Sequence, residues 1–296
     1  MYDLYGGGAI VFEWTLELIL PLVALAVLLL LAVPVWVAIG FAALGLVYFG
    51  GRVPVGLVGE AVFEGINHFA LIAIPLYVLT GDALVRSGLS QRLLDLAEAT
   101  AGSLRSGLGS STVLGCGFFS CISGSDAAGA AAVGRITYSR LVERGYPPAY
   151  AGALVASGAC TGILIPPSIA YIIIGLVLGL PVSTLFIAAL IPGVLILGSV
   201  MLVNVVMNRI GGYENQRARF SWSNWLRSIW AARYALLIPF IILGGIYSGI
   251  FTPTEAAAIA AVTTIGIGLA QRTITLADFP NMLESSAKVC GIIVPI

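Results

Sequence analysis

Long apolar runs with few charges, separated by breaks that carry proline, glycine or charge, recur from residue 16 to residue 270. They predict membrane helices near 16–33, 35–50, 69–85, 149–178, 184–207, 234–251 and 255–270. Runs of roughly 17 to 25 apolar residues can cross about 30 Å of hydrocarbon, and a helix satisfies its own backbone there, so an all-α, polytopic membrane fold is expected rather than a barrel. Two less regular segments, 52–67 and 276–290, mix glycine and charged residues with apolar ones. They read as helices lying at the membrane interface.

Composition agrees: 59% of the 296 residues are hydrophobic and 9% charged, where a soluble domain carries roughly 25% charged residues. The 14 cationic and 14 acidic side chains cancel, and no nucleic-acid partner is expected. Their placement orients the chain. Arg209, Arg217, Arg219, Arg227 and Arg233 fall with Trp222, Trp225 and Trp230 in 208–233, which reads as a basic cytoplasmic loop with an interfacial aromatic belt. The same rule puts Arg135, Arg140 and Arg144, and also Arg86, Arg92 and Arg105, on the cytoplasmic side. Asp82, Asp95 and Glu98 accompany Arg86 and Arg92 at helical spacing and should form solvated ion pairs. Cys116, Cys121, Cys160 and Cys290 lack zinc-type spacing and read as small packing residues.

With basic stretches on one side before and after it, segment 109–134 must dip into the membrane and return, because its length of about 26 residues falls short of the roughly 40 needed for two crossings. A re-entrant helical hairpin with its tip at Ser123–Asp126 is expected. Irregular backbone at that depth is tolerated only where protein buries it or it lines a watery cavity.

The pattern also repeats. LILPLVALAVLLLLAVP (18–34) can be laid on ALLIPFIILGGIYSGIFTP (235–253), matching Pro21 with Pro239 and Pro34 with Pro253 at offsets of 218 and 219, and Pro75 falls opposite Pro295 at 220. Five spans and the hairpin make an odd number of crossings, so the second copy starts on the opposite side. Residues 1–233 then read as a first repeat, containing the broken helix 149–178 and the basic loop 208–233, and 234–296 as the start of an inverted second repeat that is cut short. Inverted repeats with discontinuous helices meeting near the midplane mark secondary transporters.

Two breaks carry the candidate chemistry. At the hairpin tip, Gly124 lets the chain turn, and Ser125 or Asp126 can cap the helix that follows, Asp126 first as a cap and second as a cation ligand. The first arm would end in carbonyls that suit a cation; the second would begin with NH groups that suit a carboxylate. A capped turn with no ligand fits the same residues. In ASGACTGILIPPSIAY (156–171), Pro166 and Pro167 lack NH donors and free the carbonyls around Gly162–Ile165. Thr161, Ser157 and Ser168 could add hydroxyl oxygens for sodium, since hard cations want several at once. A kink used for packing alone is the other reading. Thr252, Pro253 and Glu255 form a T-x-x-E capping box with proline at the first helical position, a structural cap. His68, the single histidine, reads as a packing or headgroup residue. An intramembrane serine hydrolase would need G-x-S-G and a histidine at depth, whereas Cys121 stands where the glycine before Ser123 belongs. A passive channel would differ from a symporter in lacking dependence on a sodium gradient.

Three stretches, ISGSDAAGAAAVG, RGYPPAYAGALVASGACTGILIPPS and LLIPFIILGGIYSGIFTPTEAAAIA, resemble the large membrane subunit of tripartite ATP-independent periplasmic (TRAP) transporters of the dicarboxylate permease type. The resemblance follows consistent order along nearly the whole chain. It implies a sodium-driven, elevator-type importer of organic acids such as C4-dicarboxylates or sialic acid, in the bacterial inner membrane, with sodium as coupling ion and no other cofactor. It also implies a small four-helix membrane subunit and a periplasmic substrate-binding protein as partners. By motif position, Ser123, Gly124 and Ser125, with Gly162, Pro166, Pro167 and Ser168, would frame sodium and the carboxylate substrate, sodium lying near Ser123, Ser125 and Thr161. The family usually has a small residue where this chain has Asp126. The repeat offset would put the hairpin's counterpart near about position 343, so the chain is expected to be incomplete as a transporter and inactive alone.

Overall fold

The computed structural model describes residues 16–50, 54, 56–104, 106–214 and 220–293. Arg105, Arg217, Arg219 and Pro295, used in the charge and repeat arguments, lie outside the described residues, as do 52, 53 and 55 of the expected interfacial helix. Among the described residues there are thirteen α-helices and no strand. Four helical stretches, Phe69–Arg86, Val182–Gly211, Trp222–Tyr247 and Pro253–Ala270, are long and apolar enough to cross a membrane. The chain is an all-α helical membrane protein.

Two compact units divide it: residues 1–67 with 291–296, and residues 68–290. In the first, α1 (Leu16–Leu30) and α2 (Val35–Gly50) pack against each other, with Pro21 of α1 against Gly45 of α2. The third helix, α3 (Gly56–Ile66), buries none of its residues.

The second unit is built around a helix of small residues. α4 (Ala73–Arg86) packs along α12 (Pro253–Ala270), where the Tyr77 hydroxyl donates to the Pro253 carbonyl at 3.1 Å. α5 (Leu89–Ala101) touches both α6 (Gly107–Ser123) and α11 (Trp222–Tyr247). α7 (Asp126–Glu143), α8 (Pro148–Cys160) and α10 (Val182–Gly211) also pack on α6, and all of its residues except Leu114, Phe118 and Cys121 are buried. Polar groups survive there because three hydroxyls each donate to a carbonyl one turn back, Ser111 to Gly107 at 2.6 Å, Thr112 to Leu108 at 2.9 Å and Ser120 to Cys116 at 2.7 Å, while Ser110 pairs with the Ser106 hydroxyl at 2.9 Å. A buried hydroxyl so paired avoids the cost of an unmet hydrogen bond. α9 (Ile169–Leu178) follows the second chain break, and α13 (Phe279–Ile293) follows α12.

Several expectations change. Most of 208–233 is helix: α10 runs to Gly211, and α11 begins at Trp222, where the Ser221 hydroxyl accepts from the Asn224 NH at 3.4 Å. Arg209, Arg227 and Arg233 therefore sit on helices; a hydropathy pattern marks where charge begins, not where helix ends. α5 was not among the expected spans. Its charged outer face hides the buried stripe of Leu89, Leu93, Leu94, Leu96 and Ala97. Of the expected ion pairs, Asp82–Arg86 forms at 2.9 Å, but Arg92 donates to Gln271 at 3.0 Å, and Glu98 pairs across to Arg140 of α7. The i,i+4 spacing is met only by the first. Cys116 is buried, whereas Cys160 is exposed.

The hairpin's second arm is longer than expected. α6 and α7 have 17 and 18 residues, each about 26 Å long, so the length argument for a return loses force. The side of entry rests on Arg135 and Arg140, both carried by α7. Cysteines introduced by Thr100→Cys and Val142→Cys, with the four native cysteines replaced, are expected to react only with reagents on the cytoplasmic face. Reaction of either from the outer face overturns the re-entrant reading.

Candidate functional site

The tip of the α6–α7 hairpin is two residues. Gly124 turns the chain in the left-handed region at φ 63°, its NH closing on the Ser120 carbonyl at 3.1 Å. Ser125 is extended, and its hydroxyl accepts the Ala128 NH at 3.3 Å. The cap is therefore Ser125 and not Asp126, because Asp126 already has helical geometry as the first residue of α7. The Asp126 carboxylate instead accepts the Ala127 NH at 2.8 Å. This changes the chemistry of the second arm: the NH groups expected to meet a substrate carboxylate face the chain's own hydroxyl and carboxylate.

The second break meets this tip. α8 ends at Cys160, a 3₁₀ turn covers Thr161–Ile163, and α9 begins after Ser168. The Pro166–Pro167 peptide is cis. With prolines four residues on, the carbonyls of Gly162 and Ile163 have no helical donor. The Ile169 NH donates to the Gly124 carbonyl at 3.3 Å, and a Cβ on Gly124 would lie 2.9 Å from the Pro167 oxygen. A Cβ on Gly162 would lie 2.5 Å from Ser120 Oγ and 3.5 Å from Asp126 Cα. Glycine at both places lets backbone approach backbone. So Gly124, Asp126, Gly162 and Pro167, widely separated in sequence, share one place.

The hydroxyls differ in what they have left to give. Thr161 donates to the Gly158 carbonyl at 2.6 Å, and Ser123 lies 3.4 Å from the NH and the carbonyl oxygen of Ser125. Ser168 is fully buried, and its hydroxyl has no hydrogen-bond partner among the described residues. Such a group normally finds a partner. Thr252 and Glu255 start α12, the Thr252 hydroxyl and NH both within 2.9 Å of the Glu255 carboxylate, and neither has a hydrogen bond to the tip among the described residues. No cluster of three or more His, Cys, Asp or Glu side chains suited to a metal occurs among the described residues.

A network at the other end of α6 escaped the sequence reading. Glu214, 3% exposed, follows α10, and its carboxylate accepts from the Leu108 NH at 3.1 Å and the Tyr146 hydroxyl at 3.1 Å, with Arg144 at 3.5 Å. Its own NH and carbonyl bond the Asn208 side chain at 2.8 and 3.2 Å. Beside it, Asn204 donates to Ser110 at 3.3 Å and accepts from Tyr150 at 3.2 Å. The rings of Tyr146, Tyr150 and Tyr213 pack within 6.0 Å of one another. Burial, and then the adjacent Glu214 carboxylate, raise the pKa of the Tyr146 hydroxyl well above the ordinary tyrosine range. A carboxylate at a helix N-terminus also meets the positive end of its dipole. In YENQRAR an acid among arginines looks like a solvated loop residue, and no sequence signal marked it as buried.

Residues 22–296 match the family described as tripartite ATP-independent periplasmic transporter, DctM component. The isethionate TRAP transporter permease protein DctMQ of Oleidesulfovibrio alaskensis is 33% identical over 91% of this chain and 42% of its own length. The C4-dicarboxylate TRAP transporter large permease protein DctM of Pseudomonas aeruginosa is 40% identical over 77% and 53%, and the sialic acid TRAP transporter large permease protein SiaM of Vibrio cholerae 30% over 90% and 62%. The chain thus spans about half the length of the curated relatives it matches. All three relatives are named as transporter permease proteins, none as an enzyme. With a family match over nearly its whole length, this chain belongs to the DctM-component family of tripartite ATP-independent periplasmic transporters.

Proposed function

We propose that the chain is part of a sodium-coupled importer of organic carboxylates in the bacterial inner membrane. The substrate is delivered by a periplasmic binding protein, and a small four-helix subunit completes the membrane part. One observation carries the reading: the hairpin tip and the Pro166–Pro167 break are joined by the Ile169–Gly124 bond, with the unpartnered Ser168 hydroxyl at the junction. Hydroxyls, and carbonyls that have no helical donor, suit sodium, which wants several oxygens. Elevator motion fits a tip that packs on α8–α9 as one block. Element boundaries support the inverted repeat: α1 ends at Leu30 and α11 at Tyr247, and α2 starts at Val35 and α12 at Pro253. The offsets there, 217 and 218, lie beside the 218 to 220 of the prolines.

In the assembled transporter, Ser125→Ala and Thr161→Ala are expected to raise the sodium concentration for half-maximal uptake several-fold. An unchanged sodium dependence in both removes these residues from the site. Uptake that continues at full rate without a sodium gradient favours a passive channel instead.

A further inference from the structure

A carboxylate can be held by a helix N-terminus or by a cationic side chain, and at the tip Ser125 and Asp126 already take the Ala128 and Ala127 NH groups of α7. The next cation along that helix is Arg135, about 13 Å farther. It lines a cavity of about 510 Å³ between α4, the start of α5, α7 and α13. Ala128, Ala131 and Ala132 line the same cavity, so small side chains leave a trough from the first turn of α7 down to the guanidinium. Ser90 and Gln91 supply further hydrogen-bonding groups on the facing wall. Asp82, the one acid of the lining, is held by Arg86 at 2.9 Å. Among the described residues Arg135 is exposed and has no hydrogen bond or ion pair, whereas Arg140, five residues on, is held by Glu98.

Resting on the carrier reading, we infer that this trough is the vestibule through which the organic anion leaves the tip, with Arg135 as the group that binds its carboxylate. The lining fits a small, hydrogen-bonding mono- or dicarboxylate: one fixed positive charge, a few polar groups and otherwise apolar walls. A guanidinium can hold a carboxylate through two parallel hydrogen bonds. Being exposed, it holds the anion loosely enough for release.

The test is local and needs no uptake. The Ala131→Cys variant of the full chain, in phosphatidylcholine vesicles, is treated with an anionic and with a cationic methanethiosulfonate, and labelling of the parent chain is subtracted. Adding Arg135→Gln is expected to lower the anionic-to-cationic rate ratio about tenfold, on the order of what one unit charge several ångströms away gives in a partly hydrated cleft. Adding Arg135→Lys should keep most of the ratio. Millimolar succinate should slow labelling of the Ala131→Cys variant, glycerol should not, and Arg135→Gln should abolish the succinate effect. A ratio untouched by Arg135→Gln, or succinate protection surviving it, overturns the assignment. Slowing by added phosphatidylglycerol but not by succinate also overturns it, making the trough a lipid headgroup site. Since labelling requires no sodium gradient, unchanged sodium dependence in the Ser125 and Thr161 variants would sink the coupling proposal and leave this result legible.

Discussion

Glu214→Ala is expected to be the most destabilising single substitution outside the hairpin tip. It leaves the Leu108 NH and the Tyr146 hydroxyl buried without an acceptor. Each unmet buried group costs about 1–3 kcal/mol, so a loss of about 3 kcal/mol is expected. Arg144, half-exposed, can turn to water and adds little. The melting temperature of the detergent-solubilised chain should fall by roughly 5–10 °C, and exchange at the Leu108 amide should quicken. Glu214→Gln keeps the shape and one acceptor oxygen and should lose about half as much. A Glu214→Ala chain as stable as the parent, with the Leu108 amide still protected, would show that the network is decoration.

The second large effect belongs to Gly124→Ala. At φ 63° an L side chain is strained by roughly 1–2 kcal/mol, and the new Cβ would also press on the Pro167 oxygen at 2.9 Å. The tip can relieve that contact only by moving off the second break, which breaks the bond from the Ile169 NH. Gly88→Ala is the control, because Gly88 has φ 70° with nothing within 4 Å of its would-be Cβ. Both variants share the backbone strain, and only the tip variant adds the clash. Exchange at the Ile169 amide should therefore rise at least tenfold more in Gly124→Ala than in Gly88→Ala. Equal behaviour would mean that the two breaks do not support each other.

Legibility followed the range of the forces involved. Apolar run length disclosed most of the spans, because the cost of unmet backbone in lipid acts on every residue of a segment. Pro166 and Pro167 disclosed the second break for a similarly local reason: their missing donors are written in the residue type. The start of α11 and the whole of α5 were harder. There the helix is amphipathic or interfacial, and only the surface that α6 and α5 offer as partners decides that Leu89 and Leu93 are inside.

At the site the division is sharper. Gly124 as the turn and a Ser125-or-Asp126 cap could be read directly, since left-handed geometry and capping depend on a few neighbouring residues. Which of the two caps required the actual dihedrals, and they put Ser125 outside the helix and Asp126 inside it. The charge pairs behaved alike: Asp82 finds Arg86 on its own helix, but Glu98 finds Arg140 only because α5 and α7 are brought together.

The sequence alone determined that this is a helical membrane protein with two broken elements, because helix length, proline and glycine act within a turn or two of where they stand. Tertiary structure alone decided that Gly124 and Gly162 lie against the other break, that Glu214 is buried at the start of α6, and that Arg135 faces a cavity. Those facts depend on which helices touch, and contact between residues so far apart in the chain is fixed by packing of whole faces, which no short stretch of sequence contains.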